Sequence, residues 1–306
     1  MKKIKVIRHN NINWYNIFEP TKNQLEFLKN KYNFHPLDIE DCFEEIQRPK
    51  LDIYKNYLFL VLHFPVWDQK NKTLKRAELN VFLGPSFLIT INDKKIPLLD
   101  EIFYQAKTDV KKRSRFFKNS SYYLFYFIFN QLLLSINLIA KQISKSLNEL
   151  DLEITTGNYK NVLEHISTMR RNLILFQTII KPQIPIFKKL EQGRAKLANS
   201  SYAYYWGNLV DRLSFIWEEI EDFLQLLEGL AKTNESLLSY KTNEVIKILT
   251  IFSVVLMPLT LISGIYGMNI NTLPFLFHPS SFLIITVIMV IIVTFMLIFF
   301  KIKKWV

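Results

Sequence analysis

The sequence predicts an α+β domain that leads through long helices into a two-span α-helical membrane hairpin. Three observations predict it. No Asp, Glu, Lys or Arg occurs from Ile248 to Phe300. From Ser120 onward the apolar residues recur at helical spacing. Before that point, short apolar runs alternate with Gly, Pro and Asn turn signals, as in a domain that mixes strands with helices.

Residues 1–115 are expected to form the α/β domain. The N-terminus, Met1-Lys2-Lys3-Ile4-Lys5, is basic with no apolar stretch behind it, so it does not read as a signal peptide and the domain is expected in the cytoplasm. A helix is expected over Thr21–Tyr32, with Thr21 as its N-cap. Leu58–Phe64 reads as a strand that ends at Pro65. Glu78–Leu83 and Phe87–Ile91 flank Gly84-Pro85-Ser86, which predicts a hairpin. Ile96–Lys111 reads as a helix, and the basic run Lys111-Lys112-Arg113-Ser114-Arg115 as a solvated connector.

Residues 116–200 are expected to be a helical hairpin. Its arms are Ser120–Leu150 and Asn158–Ile180, separated by Thr155-Thr156-Gly157, and Pro182 and Pro185 close the second arm. Residues 201–247 read as a stalk helix, because no proline interrupts them. Leu213, Ile216, Ile220, Phe223, Leu227 and Leu230 recur at alternating intervals of three and four. Such a heptad seam packs against another helix. If the stalk runs on into the first apolar run, the helix approaches ~100 Å.

Residues 248–306 are the expected two-helix membrane domain. Ile248–Ile265 would be ~27 Å long as a helix, and Phe282–Phe300 is similar. Each approaches the ~20 apolar residues that a bilayer core requires, and a buried soluble helix rarely stays apolar on every face for so long. Glu244 and Lys247 precede the hairpin, Lys301, Lys303 and Lys304 follow it, and the loop between carries no charge. The positive-inside bias therefore places both termini in the cytoplasm and the loop outside the plasma (inner) membrane. Trp305 is suited to an interfacial anchor. Two spans cannot enclose a pore, so self-association is expected.

The 39 Lys and Arg against 27 Asp and Glu give a formal charge of +12. These cations are scattered and several border the membrane, which points to anionic lipid rather than nucleic acid. The single cysteine, Cys42, fits a reducing compartment. His9, His35, His63, His165 and His278 lack metal-ligand spacing. There is no Gly-rich phosphate loop, nucleophile elbow or paired-carboxylate constellation, so no enzyme is expected.

Thr242-Asn243-Glu244-Val245, Met257-Pro258-Leu259-Thr260 and Gly264-Ile265-Tyr266-Gly267-Met268-Asn269, followed by a short loop, a second span and a Lys-rich tail, resemble the CorA family of magnesium channels in the Gly-Met-Asn superfamily. His35-Pro36-Leu37-Asp38, Gln47-Arg48-Pro49-Lys50 and the run from Tyr57 to Phe64 are also similar to that family. The resemblance implies an α/β/α layer and long helices arranged as a homopentameric funnel, with Mg2+ as cargo and regulator and Co2+ or Ni2+ as further cargo. It puts Gly267, Met268 and Asn269 at the selectivity filter, Asn269 facing hydrated Mg2+. It puts Asn243, Ile246, Leu249, Met257 and Thr260 along the pore, and makes Lys301, Lys303 and Lys304 a basic collar. Two features depart from the family pattern. The outer loop has Leu273-Pro274-Phe275 where relatives carry an acid, and Asn208 stands where the family uses a regulatory Asp. Asp211 and Asp68 are the nearest replacement ligands. A zinc transporter of the same superfamily and a non-conducting membrane-tethered scaffold are the alternatives.

Overall fold

The computed structural model describes residues 4–43, 47–92, 96–157, 161–193, 202–268 and 280–305. By packing, the chain divides into two compact units, Met1–Ala231 and Lys232–Val306.

The first unit is built on a six-stranded sheet: β1 (Lys5–His9), β2 (Ile12–Phe18), β3 (Lys50–Ile53), β4 (Leu58–Asp68), β5 (Thr73–Gly84) and β6 (Phe87–Asn92). The order across the sheet is β1-β2-β6-β5-β4-β3. Only the β2–β6 pair is parallel among these neighbours. One face is covered by α1 (Lys22–Tyr32) and α2 (Pro36–Asp41), whose Leu25, Leu28 and Ile39 join Tyr15, Phe59, Phe82 and Ile89 in one core. The other face receives α3 (Pro97–Thr108) and α5 (Ser121–Thr155). There Trp14 meets Phe103 edge-on at 4.9 Å and Phe64 meets Phe129 at 5.3 Å. The result is the expected α/β/α layer. Strand β4 is buried from Leu58 to Pro65 because both faces are covered, which is why its sequence is continuously apolar rather than alternating.

Most expected elements form with shifted ends. Thr21 precedes α1, where the Gln24 side chain accepts from the Thr21 N–H at 3.0 Å. The Pro85-Ser86 turn joins β5 to β6, with Gly84 paired to Phe87. A Cβ at Gly84 would run into the Phe87 ring. The expected helix from Ile96 breaks at Asp109. Its carboxylate accepts from the Lys111 and Lys112 N–H groups and starts α4 (Val110–Phe117), so the basic run is helical and not a connector. Those donors, with the Lys112 bond first, hold the Asp109 carboxyl below its ordinary pKa. Helix α6 (Val162–Ile180) ends before Pro182 as expected. The chain then makes a 3-10 turn (Lys181–Gln183) and a short helix, α7 (Ile184–Glu191), because each proline sits at a helix start where its missing N–H costs nothing.

Strand β4 also runs past Pro65 to Asp68, against expectation. The reason lies at its edge. β3 pairs with β4 only from Leu58 to Val61. Beyond that point alternate residues of β4 turn their backbone groups to an open edge. His63 meets Gln183 there: the buried Gln183 amide donates to His63 O at 2.9 Å and accepts from His63 N at 3.4 Å. Pro65, of the same parity, has no N–H to leave unpaired.

Helix α8 (Ala203–Tyr266) is unbroken, as the stalk and first apolar run together predict. Leu213, Ile216, Ile220, Leu227 and Leu230 are buried in the first unit and Phe223 is half-buried. The heptad seam is therefore used inside the chain and does not by itself require a second copy. The second unit holds the remainder of α8 and α9 (Ser281–Ile302). Among the described residues, three helices are long and apolar enough to cross a membrane: α5, α8 and α9. The apolar window of α5 is 44% buried, against 6% for α8 and 0% for α9. α5 spends its apolar face on the core, whereas α8 and α9 leave theirs uncovered.

Candidate functional site

The second half of α8 carries the residues expected along a pore. At 3.6 residues per turn, Asn243, Ile246, Leu249, Met257 and Thr260 fall within roughly 120° of one helical face. All are exposed, Met257 at 76% and Leu249 at 65%. Ser253 and Gly264 continue the stripe, and together with Met257, Thr260 and Met268 they line one long shallow hollow. The hollow therefore includes Ser253, which lies in none of the family motifs, and Gly264, which begins one of them but is not among the residues the resemblance puts along the pore. The same helical spacing could have found them.

The hydroxyls on this face are oriented. Thr260 Oγ1 donates to Leu256 O at 2.9 Å, and Ser253 Oγ donates to Leu249 O at 2.9 Å. Each hydroxyl has spent its proton on its own helix and keeps its oxygen lone pairs for another partner. Such an oxygen suits a cation or its water. Pro258 lies within α8 and frees one backbone carbonyl of the preceding turn.

Helix α8 ends at Tyr266. Gly267 N donates to Ser263 O at 2.8 Å and Met268 N to Ile265 O at 3.2 Å. Gly267 does not occupy the left-handed region, so it makes no use of the freedom of φ that a glycine has. Its lack of a side chain matters for another reason: a Cβ there would lie 3.0 Å from Ser263 O. Met268 is 52% exposed. Asn269, and Leu273-Pro274-Phe275 of the outer loop, lie outside the described residues.

The other end of the unit is closed by the Lys-rich tail. Lys304 takes a left-handed φ of 58°, Lys304 N donates to Lys301 O at 3.1 Å, and Trp305 N donates to Phe300 O at 2.9 Å. This is a Schellman turn, and its usual apolar contact is the Trp305 ring stacked on Phe300 at 5.7 Å. Lys247 Nζ donates to Lys304 O at 3.4 Å and lies 3.7 Å from Glu244. Lys301, Lys303 and Lys304 are exposed.

In the first unit the candidate regulatory residues have different surroundings. Asn208 Oδ1 accepts from Tyr126 Oη at 3.2 Å and from Arg212 Nε at 3.3 Å, so its carbonyl is already engaged. Asp211 is exposed at the rim of a hollow lined by Asn137, Arg212 and Phe215. Asp68 closes the β4–β5 turn: its carboxylate accepts from the Lys70 and Asn71 N–H groups and pairs with Lys75 at 2.7 Å. Lys75, foremost, and Asn71 hold its pKa down to about 2. Neither Asp211 nor Asp68 joins a cluster of metal-binding side chains within one chain, among the described residues. The one such cluster, Asp38, Asp41 and Asp52, already has Lys50 between Asp41 at 2.6 Å and Asp52 at 3.0 Å, with Tyr54 and Tyr57 donating to Asp38. Cys42 Sγ donates to Asp38 O at 3.1 Å, and burial pushes its thiol well above the ordinary pKa, which makes it a poor nucleophile.

Comparison with known proteins gives the family and the fold. The family model described as CorA-like Mg2+ transporter protein matches residues 9–304. The cobalt/magnesium transport protein CorA of Thermotoga maritima is 27% identical over 275 residues, covering 90% of this chain and 77% of that protein. The complete structure of the CorA magnesium transporter from Methanocaldococcus jannaschii superposes with a TM-score of 0.87 at 20% identity, covering 100% of this chain and 95% of that one. The ZntB cytoplasmic domain from Vibrio parahaemolyticus has the fold of the N-terminal part, with a TM-score of 0.61 at 17% identity over 75% of this chain and 88% of that one.

Proposed function

Because the chain belongs to the family of CorA-like Mg2+ transporters, whose members are transporters and not enzymes, we propose that it forms a homopentameric channel for Mg2+ in the plasma (inner) membrane. In this reading α8 and α9 cross the bilayer, both termini are cytoplasmic, and five copies of α8 line the pore. The observation that carries the reading is the exposed stripe from Asn243 to Thr260, which leads along one face of α8 to Gly267-Met268 at its end.

Mg2+ is small, holds its waters tightly and is costly to strip. A pore for the hydrated ion needs neutral oxygens that accept from those waters. The Asn269 side-chain carbonyls would supply the first ring, and the free lone pairs of Thr260 and Ser253 the next. Ile246, Leu249 and Met257 would form apolar constrictions that close by dewetting. The outer mouth lacks a carboxylate, but a helix C-terminus carries about −0.5 charge, and five of them would meet there. That field is weaker than a ring of carboxylates. Phe275→Glu is therefore expected to raise Mg2+ uptake severalfold at limiting Mg2+ and leave the rate at saturating Mg2+ unchanged. Equal uptake at low Mg2+ would remove the capture argument.

The reading is tested by uptake into proteoliposomes, comparing Mg2+, Co2+, Ni2+ and Zn2+ with and without a proton gradient. Mg2+ flux driven by membrane potential alone is expected. Zn2+ flux that requires protons would move the chain to the zinc branch, and no flux of any ion would leave a scaffold.

Regulation by cytoplasmic Mg2+ is part of the proposal, with Asp211 as the ligand on α8 and Asp68 as its partner from a neighbouring copy. Asp211 carries the larger share, since Asp68 must first release Lys75. Mg2+ is expected to protect the wild-type oligomer from limited proteolysis. Asp211→Ala should raise the Mg2+ concentration needed about tenfold, and Asp68→Ala less. Unchanged protection in Asp211→Ala would exclude it as a ligand.

A further inference from the structure

The second unit contains a groove that the proposed ion path does not use. It lies between α8 and α9 and is lined by Thr250, Val254, Ile291, Phe295, Phe299 and Trp305, among others. Its volume is about 630 Å³, within the roughly 300–1,000 Å³ typical of ligand pockets. The one hydroxyl among these side chains is turned away, because Thr250 Oγ1 donates to Ile246 O at 2.8 Å. The lining therefore offers carbon and no recognition group. At its end stands Trp305, folded back onto Phe300 by the Schellman turn.

The same turn sets the charges at that end. Lys247 is committed to the Lys304 carbonyl and to Glu244. Lys301, Lys303 and Lys304 are exposed, and among the described residues none of them pairs with a carboxylate. The lining ends at Trp305, which directly follows the exposed Lys303 and Lys304 in the chain, and an apolar groove bordered by such lysines is complementary to an amphiphile with an anionic head.

We propose that this groove binds one acyl chain of an anionic phospholipid of the inner leaflet, with its phosphate held by Lys301, Lys303 and Lys304. The proposal rests on the reading that α8 and α9 cross the bilayer with the basic end inside. A zwitterionic lipid has the same chains but not the net charge, so the lysines give a preference among lipids and the groove gives retention. Near a membrane surface each lysine adds roughly fivefold in affinity for anionic lipid.

The test is native mass spectrometry of the full-length oligomer in mild detergent, with phosphatidylglycerol or phosphatidylcholine added. Wild type is expected to retain phosphatidylglycerol at least tenfold better. K301Q/K303Q/K304Q should bind the two lipids alike. Lys304→Gly keeps the left-handed turn, since glycine favours that φ, and should lose only about fivefold of the preference. Val254→Trp fills the groove and should reduce retention of both lipids. Equal retention of the two lipids by wild type would overturn the proposal. So would undiminished retention in Val254→Trp, the result expected if a helix of a second copy occupies the groove. Retention is read without an ion gradient, so failure of the transport reading would leave this result untouched.

Discussion

Asn269→Ala is expected to abolish Mg2+ uptake while the oligomer still assembles. The substitution removes the side-chain carbonyl that would face the hydrated ion in each copy. A hydrogen bond to a charged partner contributes about 1.5–3 kcal/mol net. Loss of two such bonds from the ring lowers occupancy by roughly a hundredfold or more, and the full ring offers more than two. Among the described residues, the last backbone bonds at that end of α8 come from Gly267 and Met268. Uptake in proteoliposomes and the oligomer size on a sizing column are to be measured together. Uptake near the wild-type rate with an intact oligomer would remove Asn269 from the filter. Loss of the oligomer would assign it a structural role instead.

The second large effect is expected in the first unit, at Gln183. Its amide is buried and closes the open edge of β4 by bonding both backbone groups of His63. The same NH2 donates to Ile179 O at 2.7 Å. Gln183→Leu keeps the size of the side chain and removes every one of these bonds. It leaves a buried N–H and a buried C=O on β4 without partners, at about 1–3 kcal/mol each. The net loss is expected near 2–4 kcal/mol, which lowers the melting temperature of the full-length protein by roughly 5–15 °C. A shift within about 1 °C would mean that another group or water closes the edge.

Residues that announce themselves by local chemistry were legible in sequence. The apolar run that begins at Ile248 and the one that ends at Phe300 follow from missing charge. The first helix follows from Thr21, the β5–β6 hairpin from Gly84-Pro85-Ser86, and the long helix from the lack of proline before Pro258. The stripe from Asn243 to Thr260 follows from helical spacing once the family resemblance marks it. What was misread turns on partners distant in sequence. Pro65 reads as a stop until the short reach of β3 shows that its position needs no N–H. The basic run after Asp109 reads as solvated until the Asp109 carboxylate starts a helix through it. The heptad seam asks for a packing partner, and only the fold shows that the chain supplies it itself.

The sequence by itself determined where the chain is apolar enough to leave water and where it is not. A long run without charge is lowest in energy in an apolar medium, and lysines at its end favour one side of a bilayer, which is the basis of the orientation proposed above. Only the tertiary structure decided how the polar atoms are used. It showed that Asn208 is spent on Tyr126 and Arg212, that Asp68 is tied to Lys75, and that Thr260 gives its proton to its own helix. It also showed an apolar groove between α8 and α9 that runs to Trp305, with the exposed Lys303 and Lys304 just before it in the chain. Hydrogen bonds and ion pairs form over a few ångströms between residues that can be a hundred positions apart, and no local pattern of residue types records that distance.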